Sequence, residues 1–131
     1  MATAANVCDQ AGLLAKILGE GETYSGAAQT FAFTRLQRLI GRWISAGYLE
    51  IPVPSTTSDT LNVSEATLSA LENNLAVRLG RIVGMNLDPI LIQDAKDDLA
   101  FLRSQSSVSI AVDMSANGLP VSRGRFDITS G

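Results

Sequence analysis

Apolar positions recur at three- and four-residue steps through the first hundred residues of the chain and then switch to strict alternation. Val7, Ala11, Leu14, Ile17 and Leu18 form the first series, within Asn6–Leu18. Phe33, Leu36, Leu39, Ile40, Trp43 and Ile44 form the second, along Ala27–Ala46. Leu68, Leu71, Leu75, Leu79 and Ile82 follow Ser64, and Leu91, Ala95, Leu99 and Leu102 follow Asp88-Pro89. Such steps place each series on one face of an α-helix, so four amphipathic helices are predicted. The punctuation agrees. Ser64 precedes its series as an N-cap whose oxygen can accept from a free backbone N–H. Asp88-Pro89 pairs a capping carboxylate with a proline whose fixed φ and missing N–H suit the first helical position. Gly47 is a C-terminal stop, and Gly84-Met85-Asn86 separates the last two helices. Gly12 weakens the first helix by about 1 kcal/mol relative to Ala.

The intervening segments read differently. Gly19–Gly26 is a turn rich in Gly and Glu. Gly47–Asn62 cannot be helical: Pro52 and Pro54 remove two donors and favour extended backbone, and Ser55–Asp59 is turn chemistry. Tyr48–Val53 and Thr60–Val63 are expected to pair as a short ribbon. After Gln105, Val108, Ile110, Val112 and Met114 alternate with smaller or polar residues, the pattern of a strand covered on one face. Asn117-Gly118 is a two-residue hairpin signal, and Leu119–Ile128 is expected to return as an edge strand around Pro120. A lone ribbon is only marginally stable, so this arm needs cover from its own domain or from another chain. The second option gives Val108, Ile110, Val112 and Met114 a docking role. Phe126 and Ile128 then anchor the far end, and Arg123 and Arg125 meet acidic groups of the partner. The expected fold is mainly α. Residues 1–105 form a small helical bundle with an extended inter-helix loop, and residues 106–131 form a β-like C-terminal arm.

Length and composition bound the chemistry. A chain of 131 residues supports one core. Charged residues make up 18% against 46% hydrophobic, much of it Ala, so partners are expected to cover its faces. Thirteen acidic against ten basic residues, a net charge of −3, argue against a dedicated nucleic-acid binder. With no His, zinc–His sites and Ser-His-Asp or Cys-His arrangements are excluded. Cys8 lies on an apolar helix face and reads as a small core residue; a single cysteine forms no internal disulfide. Asp94 and Asp98 share a helix face near Asp97, but with Lys96 beside them they read as a solvated surface rather than a metal site. Gly19-Glu20-Gly21-Glu22 would repel phosphate and has no following Lys, so it is a turn, not a phosphate loop. No apolar run reaches membrane-spanning length, and Met1–Asn6 lacks the charge and apolar block of a signal peptide. No catalytic residue, cofactor or metal is expected, and no membrane association.

One further pattern concerns order. Leu71-Glu72-Asn73-Asn74-Leu75-Ala76-Val77-Arg78-Leu79-Gly80, a short break, and a helix ending Leu99-Ala100-Phe101-Leu102-Arg103 resemble the second half of the head-to-tail adaptor proteins of tailed bacteriophages. Leu14-Ala15-Lys16-Ile17-Leu18-Gly19, the turn at Gly21–Thr23, and Arg35-Leu36-Gln37-Arg38-Leu39-Ile40-Gly41-Arg42-Trp43 resemble the first half. The resemblance spans Ala11 to Gln105. It implies a virion structural protein made in the host cytoplasm and placed at the head–tail interface. There a twelve-copy ring would join the portal protein to tail or nozzle proteins, with packaged DNA passing through the lumen without specific binding. The alternative is a small helix-turn-helix-like DNA-binding regulator, which needs a basic recognition helix where Asp88–Gln105 is acidic.

Arg35, Arg38 and Arg42 recur at helical spacing, with Arg78 and Arg81 on the next helix. They are either a solvated face or partners for Asp94 and Asp98 across a subunit boundary, where the planar guanidinium fork suits a carboxylate. Phosphate contact is weaker, because a pore through which DNA slides gains little from it.

Overall fold

The computed structural model describes residues 2–116, with side chains through residue 105. Its four helices are α1 (Ala4–Leu14), α2 (Gly26–Ser45), α3 (Glu65–Val83) and α4 (Pro89–Ala116). Among the described residues there is no strand, and the fold is a small, mainly helical bundle. α3 is its axis: it packs against α1, α2 and α4, while α4 packs chiefly on α3.

The helix ends follow the local chemistry. Thr3 Oγ1 accepts from Asn6 N at 3.2 Å, Ser64 Oγ accepts from Thr67 N at 3.3 Å, and Asp88 Oδ1 accepts from Ile90 N at 2.9 Å. Three helices close in one way: the chain turns left-handed for one residue and the next N–H reaches back five residues. These bonds are Ile17 N to Gly12 O at 2.9 Å, Tyr48 N to Trp43 O at 2.8 Å and Met85 N to Gly80 O at 2.8 Å. Gly47 and Gly84 supply the left-handed residue at φ 85° and 83°; after α1 it is Lys16, at φ 63°. That closure at Lys16 ends α1 at Leu14, short of the expected Leu18. Leu14 is consequently 40% exposed rather than facing inward, and Ile17 and Leu18 pack from the turn instead.

The core is the union of the apolar stripes. Val7, Leu36, Leu39, Ile40, Leu71, Leu75 and Leu79 are essentially sealed from solvent, and Trp43 is 3% exposed. Leu91, Ala95 and Leu102 bury the inner face of α4. Ile82, expected on the α3 stripe, is 49% exposed, because α3 ends just beyond it at Val83.

The ribbon expected from Tyr48–Val53 and Thr60–Val63 does not form. Its backbone groups go elsewhere: Asp59 O and Thr57 O accept from Ala4 N and Ala5 N, and Leu61 N donates to Ala2 O at 3.0 Å. One isolated antiparallel bridge, Thr3 with Thr60, results. Pro52 and Pro54 have no N–H to offer a ladder, whereas the free N–H groups at the start of α1 need acceptors. Asp59 holds this loop, accepting from Ser55 N at 2.8 Å, Ser55 Oγ at 3.1 Å, Thr56 N at 3.2 Å and Thr56 Oγ1 at 2.8 Å.

At the C-terminal end α4 runs to Ala116 and includes Val108, Ile110, Val112 and Met114. A helix satisfies its own backbone groups, while a strand here would find no edge to pair with among the described residues. Arg123, Arg125, Phe126 and Ile128 lie outside the described residues.

Candidate functional site

The residues singled out by the sequence fall on two faces. On α2, Arg35 is half-buried while Arg38 and Arg42 are exposed. The Arg35 guanidinium carbon sits 5.2 Å from the centre of the Phe31 ring, a cation–π stack. α3 brings Arg78 and Arg81 alongside. Arg35, Asn74, Val77, Arg78, Arg81 and Ile82 line a cleft of about 410 Å³. A smaller one, about 210 Å³, adds Arg42, Trp43, Tyr48, Leu99 and Arg103. Burial lowers the Arg78 pKa, and the positive charges of Arg42 and Arg35 push it further down. Among the described residues no carboxylate lies within ion-pair distance of these guanidiniums. Among the described residues these side chains form a concentrated basic surface whose charges repel each other, and an anion seated there would relieve the repulsion.

The acidic residues of α4 divide. Asp98 is engaged inside the chain, accepting from Asn73 Nδ2 at 2.8 Å and from Ser69 Oγ at 3.2 Å. These bonds tie α4 to α3, as does Asn74, whose Nδ2 donates to Ala70 O at 2.9 Å and Ala95 O at 3.1 Å. Asp94 is exposed with no hydrogen bond or ion pair among the described residues. Asp97 is exposed and accepts from Gln93 Nε2 at 2.8 Å. The pairing of the arginines with Asp94 and Asp98 was expected across a subunit boundary; within one chain they do not meet, and Asp98 already has two donors. Sequence reasoning had not placed Asp97 with Asp94 in one outward stripe. The signal was present in their spacing with Ile90 and Phe101.

The remaining candidates have structural surroundings. Cys8 is fully buried, and burial, aided by the charge of Asp9, pushes its thiol up to about 12. At neutral pH it is a protonated core group. Asp9 accepts from Tyr24 N at 2.9 Å, holding the Gly19–Tyr24 turn against α1. Among the described residues no three His, Cys, Asp or Glu side chains converge in a way that could hold a metal ion. No described helix is long and apolar enough to cross a membrane.

No protein-family model, curated protein or solved structure matches the chain.

Proposed function

We propose that this chain is a virion structural protein, a head-to-tail adaptor that docks on the portal vertex and links it to the tail. The observation that carries the reading is the part played by the motif Asn73-Asn74-Leu75-Ala76-Val77-Arg78-Leu79. Its positions divide among three structural tasks. Asn73 and Asn74 clamp α4 through Asp98 and the Ala95 carbonyl. Leu75, Ala76, Val77 and Leu79 fill the core. Arg78 projects into the basic cleft. A motif that fixes a helical hairpin and leaves one arginine at its surface suits a protein working by surface burial rather than by chemistry.

On this reading the partners are the portal protein, tail or nozzle proteins and further copies of the chain in a ring of twelve. DNA passes through the ring without being read. Specific DNA binding is therefore not expected, and the outer face of α4 carries aspartates where a recognition helix would carry basic residues.

Electron microscopy of virions carrying a tagged copy of the chain tests the proposal. Label at the single head–tail vertex, over a twelvefold ring, supports it. Label absent from particles, or spread over the shell, overturns it. Submicromolar preference for one duplex over scrambled DNA in a mobility-shift assay would favour the regulator instead.

A further inference from the structure

Two exposed stripes on this chain match in spacing and oppose in charge. On α4, Ile90, Asp94, Asp97 and Phe101 stand at i, i+4, i+7 and i+11, and on α2, Phe31, Arg35, Arg38 and Arg42 stand at the same four steps. Each stripe spans about 16 Å at 1.5 Å per residue. Both are aromatic or aliphatic at an end and charged in the middle: acidic on one helix, basic on the other.

Their apolar members are unusually wet for their size. Ile90 is 69% exposed, Phe101 47% and Phe31 38%. Beside the basic stripe, Ile82 adds a further side chain at 49% exposure, next to Arg78 and Arg81.

One copy cannot bring the stripes together. The Arg103 Nε donates to Tyr48 Oη at 3.1 Å, which fixes the flank of α4 that faces the end of α2. At about 100° per residue the Ile90–Phe101 stripe lies about 150° around the helix from Arg103, on the flank turned away from α2. Lys96 falls on the Arg103 side, so no cation interrupts the acidic stripe.

We infer that the α4 stripe Ile90, Asp94, Asp97 and Phe101 docks on the Phe31, Arg35, Arg38 and Arg42 stripe of a second copy, with Arg78 and Arg81 flanking the contact. Taken head to tail the contact is heterologous and, repeated, generates a ring or an open helix. Arginine suits this position because its fork binds a carboxylate through two parallel hydrogen bonds and its flat face stacks on an aromatic ring. The matched spacing holds for either relative direction of the helices. This inference deepens the ring in the adaptor reading and does not involve the portal.

Cysteine trapping tests it with the full chain, since Cys8 is buried and leaves the surface clear. Arg38→Cys protein mixed with Asp94→Cys or Asp97→Cys protein at about 1 mM, a concentration that reveals even weak contacts, should form mixed disulfides on mild oxidation. Either variant alone should yield at least tenfold less dimer. The position that traps best reads the helix direction. In parallel, the double variants R38E/R42E and D94K/D97K, all at exposed positions, should stay monomeric by sedimentation with helical circular dichroism unchanged. Mixed together they should associate again, because the intact acidic face of one meets the intact basic face of the other and the two reversed faces also oppose in charge. Salt at about 1 M should weaken the wild-type association, as its screening length falls to about 3 Å.

Wild-type protein that stays monomeric at about 1 mM would overturn the inference, as would like-with-like disulfides that equal the mixed ones. Duplex DNA bound by wild type, lost in R38E/R42E and accompanied by no mixed disulfide would assign the arginines to phosphate and also refute it. Failure here leaves portal docking standing. A chain that traps as expected but is missing from virions retains this contact and loses the adaptor reading.

Discussion

Removing the Leu75 side chain beyond Cβ tests the architecture at its axis. Leu75 is completely buried on α3, the helix that touches all three others. Leu75→Ala deletes three carbon groups, worth about 2.4 kcal/mol at about 0.8 kcal/mol per buried methylene. The surroundings collapse only in part, and the residual cavity adds a term of about 24 cal/mol per Å³. A loss of about 3–4 kcal/mol follows, a large share of the ~5–15 kcal/mol that stabilises a small domain. Trp43, 3% exposed in the same core, reports unfolding by fluorescence. With a urea slope of about 1.5 kcal/mol/M, the midpoint should fall by about 2 M. Leu14→Ala is the internal control: the same atoms are removed from a side chain already 40% exposed, so its midpoint should move far less. Equal shifts for the two variants, or a Leu75→Ala shift under about 0.5 kcal/mol, would refute the packing of α3 at the centre.

Other consequences are separately measurable. Gly47→Ala forces a Cβ into φ 85° and should destabilise by about 1–2 kcal/mol in the same titration. Hydrogen bonds from Thr56 and Ser55 hold the Asp59 carboxyl down at about 2. Its folded value is below its unfolded one, so its contribution is complete above the ordinary carboxylate range and is lost as pH falls toward about 2. Carboxyl NMR titration should place Asp59 below the ordinary carboxylate range, and Asp59→Asn should flatten the acid limb of the stability curve. Cys8, with its thiol raised to about 12, should resist a thiol reagent at pH near 8 and react at the rate of opening; reaction as fast as a free thiol would contradict its burial. Asn74→Ala removes the donor to the Ala95 carbonyl and should cost about 0.5–1.5 kcal/mol, with faster amide exchange along α4.

The sequence by itself determined the four helices, because each carries its own period and its own stop signals. Ser64, Asp88-Pro89, Gly47 and Gly84 act on neighbours two to five residues away, and such chemistry needs no tertiary partner. The burial of Trp43 and Leu75 was legible for the same reason. The loop from Gly47 to Asn62 was not: Thr57, Asp59 and Leu61 could pair with each other or with the start of α1, and only the folded chain brings that start within reach. Val108, Ile110, Val112 and Met114 satisfy an alternating pattern, yet the preceding helix has no stop signal before them and α4 runs on to Ala116. Asp98 looked like a surface charge until α3 placed Asn73 and Ser69 against it. The arginines of α2 and α3 form one surface, and the Asp94 stripe of α4 turns away from it, for a like reason. Spacing along one helix fixes which residues share a face. Which faces meet, and which stay uncovered, depends on how the helices pack around α3.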